Sequence, residues 1–161
     1  MQIFRAEAFD TMGKILPRAT TISLQIFVIY LGITVMCALA YVAVGLTAFD
    51  AIVHAFTTVS TGGFSNYDSS FGHFSGAVEY VAIIFMIMAA LPFVRYVQLV
   101  NGNSRAIISD TQIKTFLITT LLVATFVFFV LNNLFPGDWE SALRKSLFNI
   151  TSIISGTGYS S

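Results

Sequence analysis

The sequence predicts an all-α membrane protein built from repeated units of span, short helix, glycine loop and span. Three observations carry that prediction. Hydrophobic residues make up 56% of the 161 and charged residues only 10%, with a mean hydropathy of +0.81. Soluble domains carry roughly 25% charged residues. Long uncharged runs divide the chain. Two short glycine-containing segments recur 95 residues apart. The same composition excludes disorder. Eight Lys+Arg balance eight Asp+Glu, so no basic field recruits nucleic acid. A single cysteine, Cys37, excludes an internal disulfide framework and a cysteine-based zinc site.

Residues 1–20 are polar and mixed, with Arg5, Glu7, Asp10, Lys14, Pro17 and Arg18, and read as a cytoplasmic N-terminal segment. Residues 21–46 carry no charge, and a helix needs about 20 apolar residues to cross the bilayer core. A second uncharged run covers 80–94. Extended back to Ser75 and on to Val100, it spans with Glu79 near one end and Arg95 near the other. A third covers 115–135. Three spans are expected. The units are then 21–100 as a first repeat, 101–114 as a cytoplasmic loop and 115–161 as a second repeat.

Positive charge near span ends sets orientation. The N-terminal segment carries Arg5, Lys14 and Arg18, and the 95–114 loop carries Arg95, Arg105 and Lys114. Residues 47–76 carry neither Lys nor Arg. The N-terminus and the 95–114 loop are therefore expected in the cytoplasm, and 47–76 outside. Arg144 and Lys145 fall on the outer side against this rule, where they are expected to snorkel to the interface. Glu79 is an intramembrane-edge carboxylate, which makes it a functional candidate. Its place at an outer span end suits a solvated, interfacial position instead.

Each outer segment holds a helical stretch too short to cross. Thr47 through Asp50 has capping-box spacing, so a helix is expected from there to about Val59. Asp138, after Pro136 and Gly137, is a good N-cap for a second helix running to about Ile154. The first meets Ser60-Thr61-Gly62-Gly63-Phe64-Ser65, and the second meets Ser155-Gly156-Thr157-Gly158-Tyr159-Ser160. A shift of 95 puts Gly63 on Gly158, Phe64 on Tyr159, Ser65 on Ser160 and Ile22 on Leu117. An internal repeat decides the architecture. No span follows the second copy, so the chain reads as truncated within that unit.

Backbone at membrane depth must be paired or line a polar path. An extended glycine segment after a half-crossing helix leaves carbonyls bare. Their useful partner is a dehydrated monovalent cation, whose hydration shell a ring of carbonyls replaces. The helix adds the negative end of its dipole. Glycine supplies the φ freedom that lets successive carbonyls face one way. Ser and Thr hydroxyls add oxygen ligands, and the aromatic after the glycine is expected to wedge the strand against its own short helix.

Thr61-Gly62-Gly63-Phe64 and Gly156-Thr157-Gly158-Tyr159 resemble the Thr-Val-Gly-Tyr potassium filter. The longer strings FDAIVHAFTTVSTGGFS and LFNITSIISGTGYSS resemble the second and third pore loops of the bacterial Trk-type potassium-uptake family, in the Trk/Ktr/HKT superfamily. PFVRYVQ after the second run and the opening MQIFRAE extend the resemblance over essentially the whole chain. The resemblance implies K⁺ movement, with Na⁺ as the alternative ion, across the inner membrane by a four-repeat subunit. It implies a homodimer and a cytosolic nucleotide-binding regulatory partner, and no bound cofactor. Carried over residue by residue, it makes Gly63 and Gly158 the filter glycines. It places Thr61, Gly62, Gly156 and Thr157 in the strands before them, and Ser60 and Ser155 at their inner mouths.

A glycine pair alone is usually a turn. Two copies in register, each after a capped short helix, favour the filter. His54 is expected to pack on its helix and His73 to sit in a loop, since no further metal ligands are spaced near them. Cys37 is expected in a packed core, Arg95 as a cytoplasmic anchor, and Thr119 and Thr120 bonded within their helix. No nucleophile–base pair points to an enzyme. Two other classes compete: a solute transporter with broken helices, and a membrane scaffold whose short helices lie at the interface. Two strands of a four-strand ring also lead to the expectation that this chain alone does not conduct selectively.

The topology is directly testable. Single cysteines at Ser70 and Ser104, in a Cys37-free background, should label from opposite sides of the membrane. Labelling of both from one side rules out the three-span arrangement.

Overall fold

The computed structural model describes residues 3–74, 76–134 and 137–161, with the side chains of residues 3–18 and of residue 106 left aside. Ser75, Phe135 and Pro136 lie outside the described residues, as do the side chains of Arg5, Glu7, Asp10, Lys14, Pro17 and Arg18. Among the described residues seven α-helices follow in order: α1 Ile3–Ala43, α2 Ala48–Val59, α3 Ala77–Ala90, α4 Phe93–Val100, α5 Arg105–Ile108, α6 Thr111–Leu134 and α7 Trp139–Ser155. A 3₁₀ turn at Ser70–His73 interrupts the loop before α3. No strand occurs among the described residues.

α1 and α6 are long and apolar enough to cross a membrane. At 1.5 Å per residue the 24 residues of α6 reach about 36 Å, against a hydrocarbon core of about 30 Å. Their outward faces are apolar: Leu24, Phe27, Leu31, Val35 and Leu39 on α1, and Ile118, Leu121, Leu122, Phe126 and Phe129 on α6 are all exposed. α1 continues the first span back through the polar N-terminal segment to Ile3 as one helix.

The second expected span is corrected. It does not run straight to Val100, because α3 and α4 meet at a bend of 87°. Pro92 is the cause. Its ring disfavours a helical conformation at Leu91, which is extended at φ −77 and ψ 147, and Pro92 has no N–H to donate. Tyr96 Oη donates 2.8 Å to the Met88 carbonyl at the end of α3, which keeps the break closed.

Both short helices form where their caps predict. Thr47 Oγ1 accepts from Asp50 N at 3.2 Å and donates to Asp50 Oδ2 at 2.8 Å, closing the start of α2. Asp138 accepts from Ser141 N at 3.2 Å and starts α7. α2 packs on α1 and α3, while α7 packs on α6 and α3, so α3 joins the two units. Fully buried Ala51 and Ala55 on one face of α2 let it approach closely. Cys37 is buried in this core, as expected, alongside Tyr41 and Met86. Thr120 Oγ1 donates to the Phe116 carbonyl one turn back, also as expected.

On the side of the 95–114 loop, Asp110 caps α6 and anchors α4 at once. Its Oδ1 accepts from Gln112 N at 2.7 Å and its Oδ2 pairs with Arg95 Nε at 2.6 Å. Arg95 also donates 2.9 Å to Gln98, an anchoring rather than a free charge. Partial burial pushes the Asp110 carboxyl up, but the hydrogen bonds from Gln112, Arg95 and Ile113 outweigh it and hold it below the usual carboxylate range. A lowered native value stabilises the fold above the unfolded pKa of about 4 and is lost as pH falls through the native one. Asp110→Ala should therefore lower the melting temperature in detergent at pH 7, and the gap to wild type should close as pH drops below about 4. A gap that persists undiminished in acid contradicts this role.

Candidate functional site

The two glycine segments meet. A methyl group built on Gly63 would overlap the Thr157 carbonyl oxygen and lie 3.0 Å from its carbon and 3.2 Å from the Gly158 carbonyl carbon. Backbone packs on backbone here, and no side chain fits at Gly63. The Gly63 φ of 67 adds a second reason for glycine.

The repeat holds down to single bonds. Gly63 N donates to the Thr57 carbonyl at 3.4 Å, and Gly158 N donates to the Ser152 carbonyl at 3.2 Å. These two bonds superpose at the 95-residue shift. So do the positive φ values of Gly63 and Gly158 (67 and 87), and those of Thr61 and Gly156 (51 and 80). Ser60 Oγ donates back to the Thr57 carbonyl at 3.5 Å, and Ser155 Oγ to the Ser152 carbonyl at 3.3 Å. Each segment thus leaves its helix through the same turn. Gly62 N is drawn in as well, 2.7 Å from the Thr57 carbonyl. All eight candidate residues, Ser60 to Gly63 and Ser155 to Gly158, lie at the C-terminal ends of α2 and α7 or directly after them. The hydroxyls of Ser155 and Thr157 bond each other at 2.8 Å, while Thr61 Oγ1 donates to the Ser60 carbonyl at 2.7 Å.

Tyr159 stacks on Phe148 of its own short helix α7, ring centres 6.5 Å apart. Its hydroxyl crosses to α2, where it bonds Thr57 Oγ1, lies 3.2 Å from Thr58 Oγ1 and donates 3.3 Å to the His54 carbonyl. α7 holds the same strand by another route, Ser152 Oγ to the Tyr159 carbonyl at 2.8 Å. Phe64, its counterpart in the first copy, is 76% exposed and wedges nothing among the described residues.

His54 is the packed histidine the sequence suggests. It is fully buried, with Nδ1 2.8 Å from the Asp50 carbonyl and Nε2 3.0 Å from Ser65 Oγ. It stands edge-on to Phe71 and Phe74. His73 stacks on Tyr67 in the outer loop, ring centres 3.7 Å apart. No cluster of three or more metal-ligating side chains occurs among the described residues.

Two charged residues sit elsewhere than expected. Glu79 is not solvated: it is 1% exposed. Arg144 does not snorkel: it is buried beside Glu79, forms an ion pair with it, and donates from Nε to Glu140 at 3.1 Å. Of Arg144 and Lys145, only Lys145 is exposed. Sequence reasoning missed this pair because its partners lie on different helices, with no local spacing to signal it.

If the Tyr159 hydroxyl joins the two units, removing it should show. Tyr159→Phe should lower stability by about 1 kcal/mol in detergent melts, the usual net worth of a hydrogen bond. Phe64→Leu, at an exposed site, should stay within about 0.5 kcal/mol. Equal losses would place Tyr159 on the same footing as an exposed ring.

The family model described as "TrkH: Cation transport protein" matches residues 5–134. The Trk system potassium uptake protein TrkI of Halomonas elongata is 34% identical over 100% of this chain and 33% of its own length. The Trk system potassium uptake protein TrkH of Escherichia coli K12 is 30% identical over 99% of this chain and 34% of its own. The crystal structure of the potassium transporter TrkH from Vibrio parahaemolyticus superposes with a TM-score of 0.83 at 27% identity, covering 89% of this chain and 32% of that one. The chain thus spans about a third of the length of these relatives. They are transporters, not enzymes, and the described helices are those of a membrane protein. With the match covering most of its residues, the chain belongs to the TrkH cation transport family.

Proposed function

We propose that this chain supplies two strands of a selectivity filter that passes K⁺ across the membrane, with Na⁺ as the alternative ion. The observation that carries the reading is the meeting of two glycine segments, each released from the C-terminal end of a short helix by the same turn. Two negative helix ends then face one place, where a cation is favoured. Carbonyls of residues 60–63 and 155–158 would replace its hydration shell. The ion is cargo, and the site needs no cofactor.

Relatives named as potassium uptake proteins support the choice of ion. On this reading the chain contributes 21–100 and 115–161 as one and a half of four repeats in a larger subunit. The subunit works in the inner membrane with its N-terminal side in the cytoplasm, as a homodimer with a cytosolic nucleotide-binding partner. A solute carrier with broken helices would use the bend at Pro92, but the Met88 carbonyl there is already bonded by Tyr96.

Rubidium uptake into proteoliposomes of the protein that carries this chain tests the reading. Gly63→Ala must push the Thr157 carbonyl away, and Gly158→Ala places a side chain at a left-handed φ of 87. Both should cut rubidium uptake or its preference over sodium by about tenfold or more, with insertion intact. Gly72→Ala keeps the backbone N–H that bonds Ser160, and its Cβ would meet no atom nearer than 3.8 Å, so it should be silent. Equal effects from Gly72 and Gly158 would reduce these glycines to turn formers.

A further inference from the structure

We propose that Glu79 and Arg144 are positioning residues that clamp the outer end of the second glycine segment, and so set how well it discriminates between monovalent cations. The proposal rests on reading that segment as a filter strand.

The clamp is built from both units. Glu79 lies in the first turn of α3, Arg144 in the middle of α7, and Ser161 directly beyond the segment. Glu79 Oε1 accepts from Ser161 Oγ, and Glu79 Oε2 meets Arg144 Nη1. Arg144 Nε reaches Glu140 Oε1 at 3.1 Å, and Tyr80 Oη donates to the same oxygen at 3.1 Å. The side chains of Glu79 and Arg144 are 1% and 10% exposed. An ion pair taken out of water adds little net stability over apolar packing of the same shape. What it does supply is a carboxylate held at one place, and a hydroxyl donating to a charge bonds more strongly than one donating to a neutral group.

The rest of the strand's exit is held by neutral bonds. Ser161 N and its carbonyl bond the Asn149 side chain at 3.2 and 3.3 Å. Ser160 N donates to Ser70 Oγ at 3.3 Å, and Gly72 N donates to the Ser160 carbonyl at 3.2 Å. At the inner end Gly158 N is tied to Ser152. The carbonyls between are therefore strung between a fixed inner turn and this outer anchor. A shift of the anchor moves oxygens whose spacing distinguishes one ion from another.

The first copy has the same device with different residues. Asn66 stands where Ser161 stands in the repeat, and its Nδ2 lies 3.4 Å from Asp50 Oδ1. Asp50 is itself buried and fixed by Thr47 at 2.8 Å and Tyr67 at 3.1 Å. Each glycine segment thus ends on a buried carboxylate, although the carboxylates come from non-equivalent helices. That recurrence points to a need of the segment rather than to chance packing of one pair.

The test measures the ratio of rubidium to sodium uptake in proteoliposomes of the protein that carries this chain, together with melting temperature. Ser161→Ala removes the link but leaves the Glu79–Arg144 pair whole, so folding is spared. Its ratio should fall by about threefold, the effect of one lost hydrogen bond, while its melting temperature falls no further than that of Tyr159→Phe. Ser161→Thr, which keeps the hydroxyl, should restore it. The double variant Glu79→Gln with Arg144→Gln removes both charges together and should lower the ratio as well. Wild-type ratios in Ser161→Ala and in the double variant, with Gly158→Ala still lowering the ratio, overturn the clamp and leave the filter standing. A wild-type ratio in Gly158→Ala overturns the filter reading and the clamp with it.

Discussion

The contact between Gly63 and the Thr157 carbonyl is the constraint on which the rest of the structure depends. Two backbones can touch only where one carries no side chain, and two helices can deliver them there only if their C-terminal ends converge. α2 and α7 do not pack broadly on each other, so convergence is imposed by α3, which contacts both. Beneath the contact lies an aromatic floor. Tyr159 and Phe71 have ring centres 4.3 Å apart, Phe71 and Phe148 are 5.1 Å apart, and His54 closes the cluster. Rigid, well-packed rings of this kind hold spacing better than flexible chains could.

A second demand is that the backbone groups freed at the helix ends find partners. The ends of the short helices show how it is met. The Thr57 carbonyl, left over at the end of α2, accepts from both Gly62 and Gly63, and the Ser152 carbonyl accepts from Gly158. The hydroxyl of Tyr159 then satisfies side chains and a carbonyl of α2 from outside its unit. The two units are thereby a single polar network as well as a single core. What remains exposed is the apolar outer faces of α1 and α6.

Much of this was legible in the sequence, because it is local. The caps at Thr47 and Asp138, the short helices and the repeat all rest on spacings within a few residues or on self-similarity. The bend at Pro92 was legible in principle, since proline penalises a helical residue before it, but hydropathy over a long apolar run outweighs one residue. The positions of Glu79 and Tyr159 were not legible. Glu79 is stabilised by a guanidinium 65 residues along the chain, and Tyr159 by hydroxyls more than 100 residues back. A reading confined to neighbours sends a lone carboxylate to the interface and stops a ring at its own helix. Only the proximity of α7 to α3, and of Tyr159 to α2, supplies the missing partners.

The two copies leave the short helix by the same turn but build it from different residues, and the difference has a physical reading. The first residue of the turn has a left-handed φ in both, 51 at Thr61 and 80 at Gly156. For a β-branched residue that conformation costs about 1–2 kcal/mol, which Gly156 avoids. The next position is Gly62 in one copy and Thr157 in the other, and Gly62 has no such φ to require glycine. Exchanging Thr61 and Gly62 would relieve the backbone, yet the space is taken. A Cβ at Gly62 would stand 3.1 Å from Ser60 Oγ and 3.4 Å from the Phe64 ring. The exposed ring of Phe64 folds back over its own glycine, whereas the Tyr159 ring turns away to α2 and leaves Thr157 room for its side chain. The strain at Thr61 therefore follows from the different paths of the two aromatic residues, and not from a different turn.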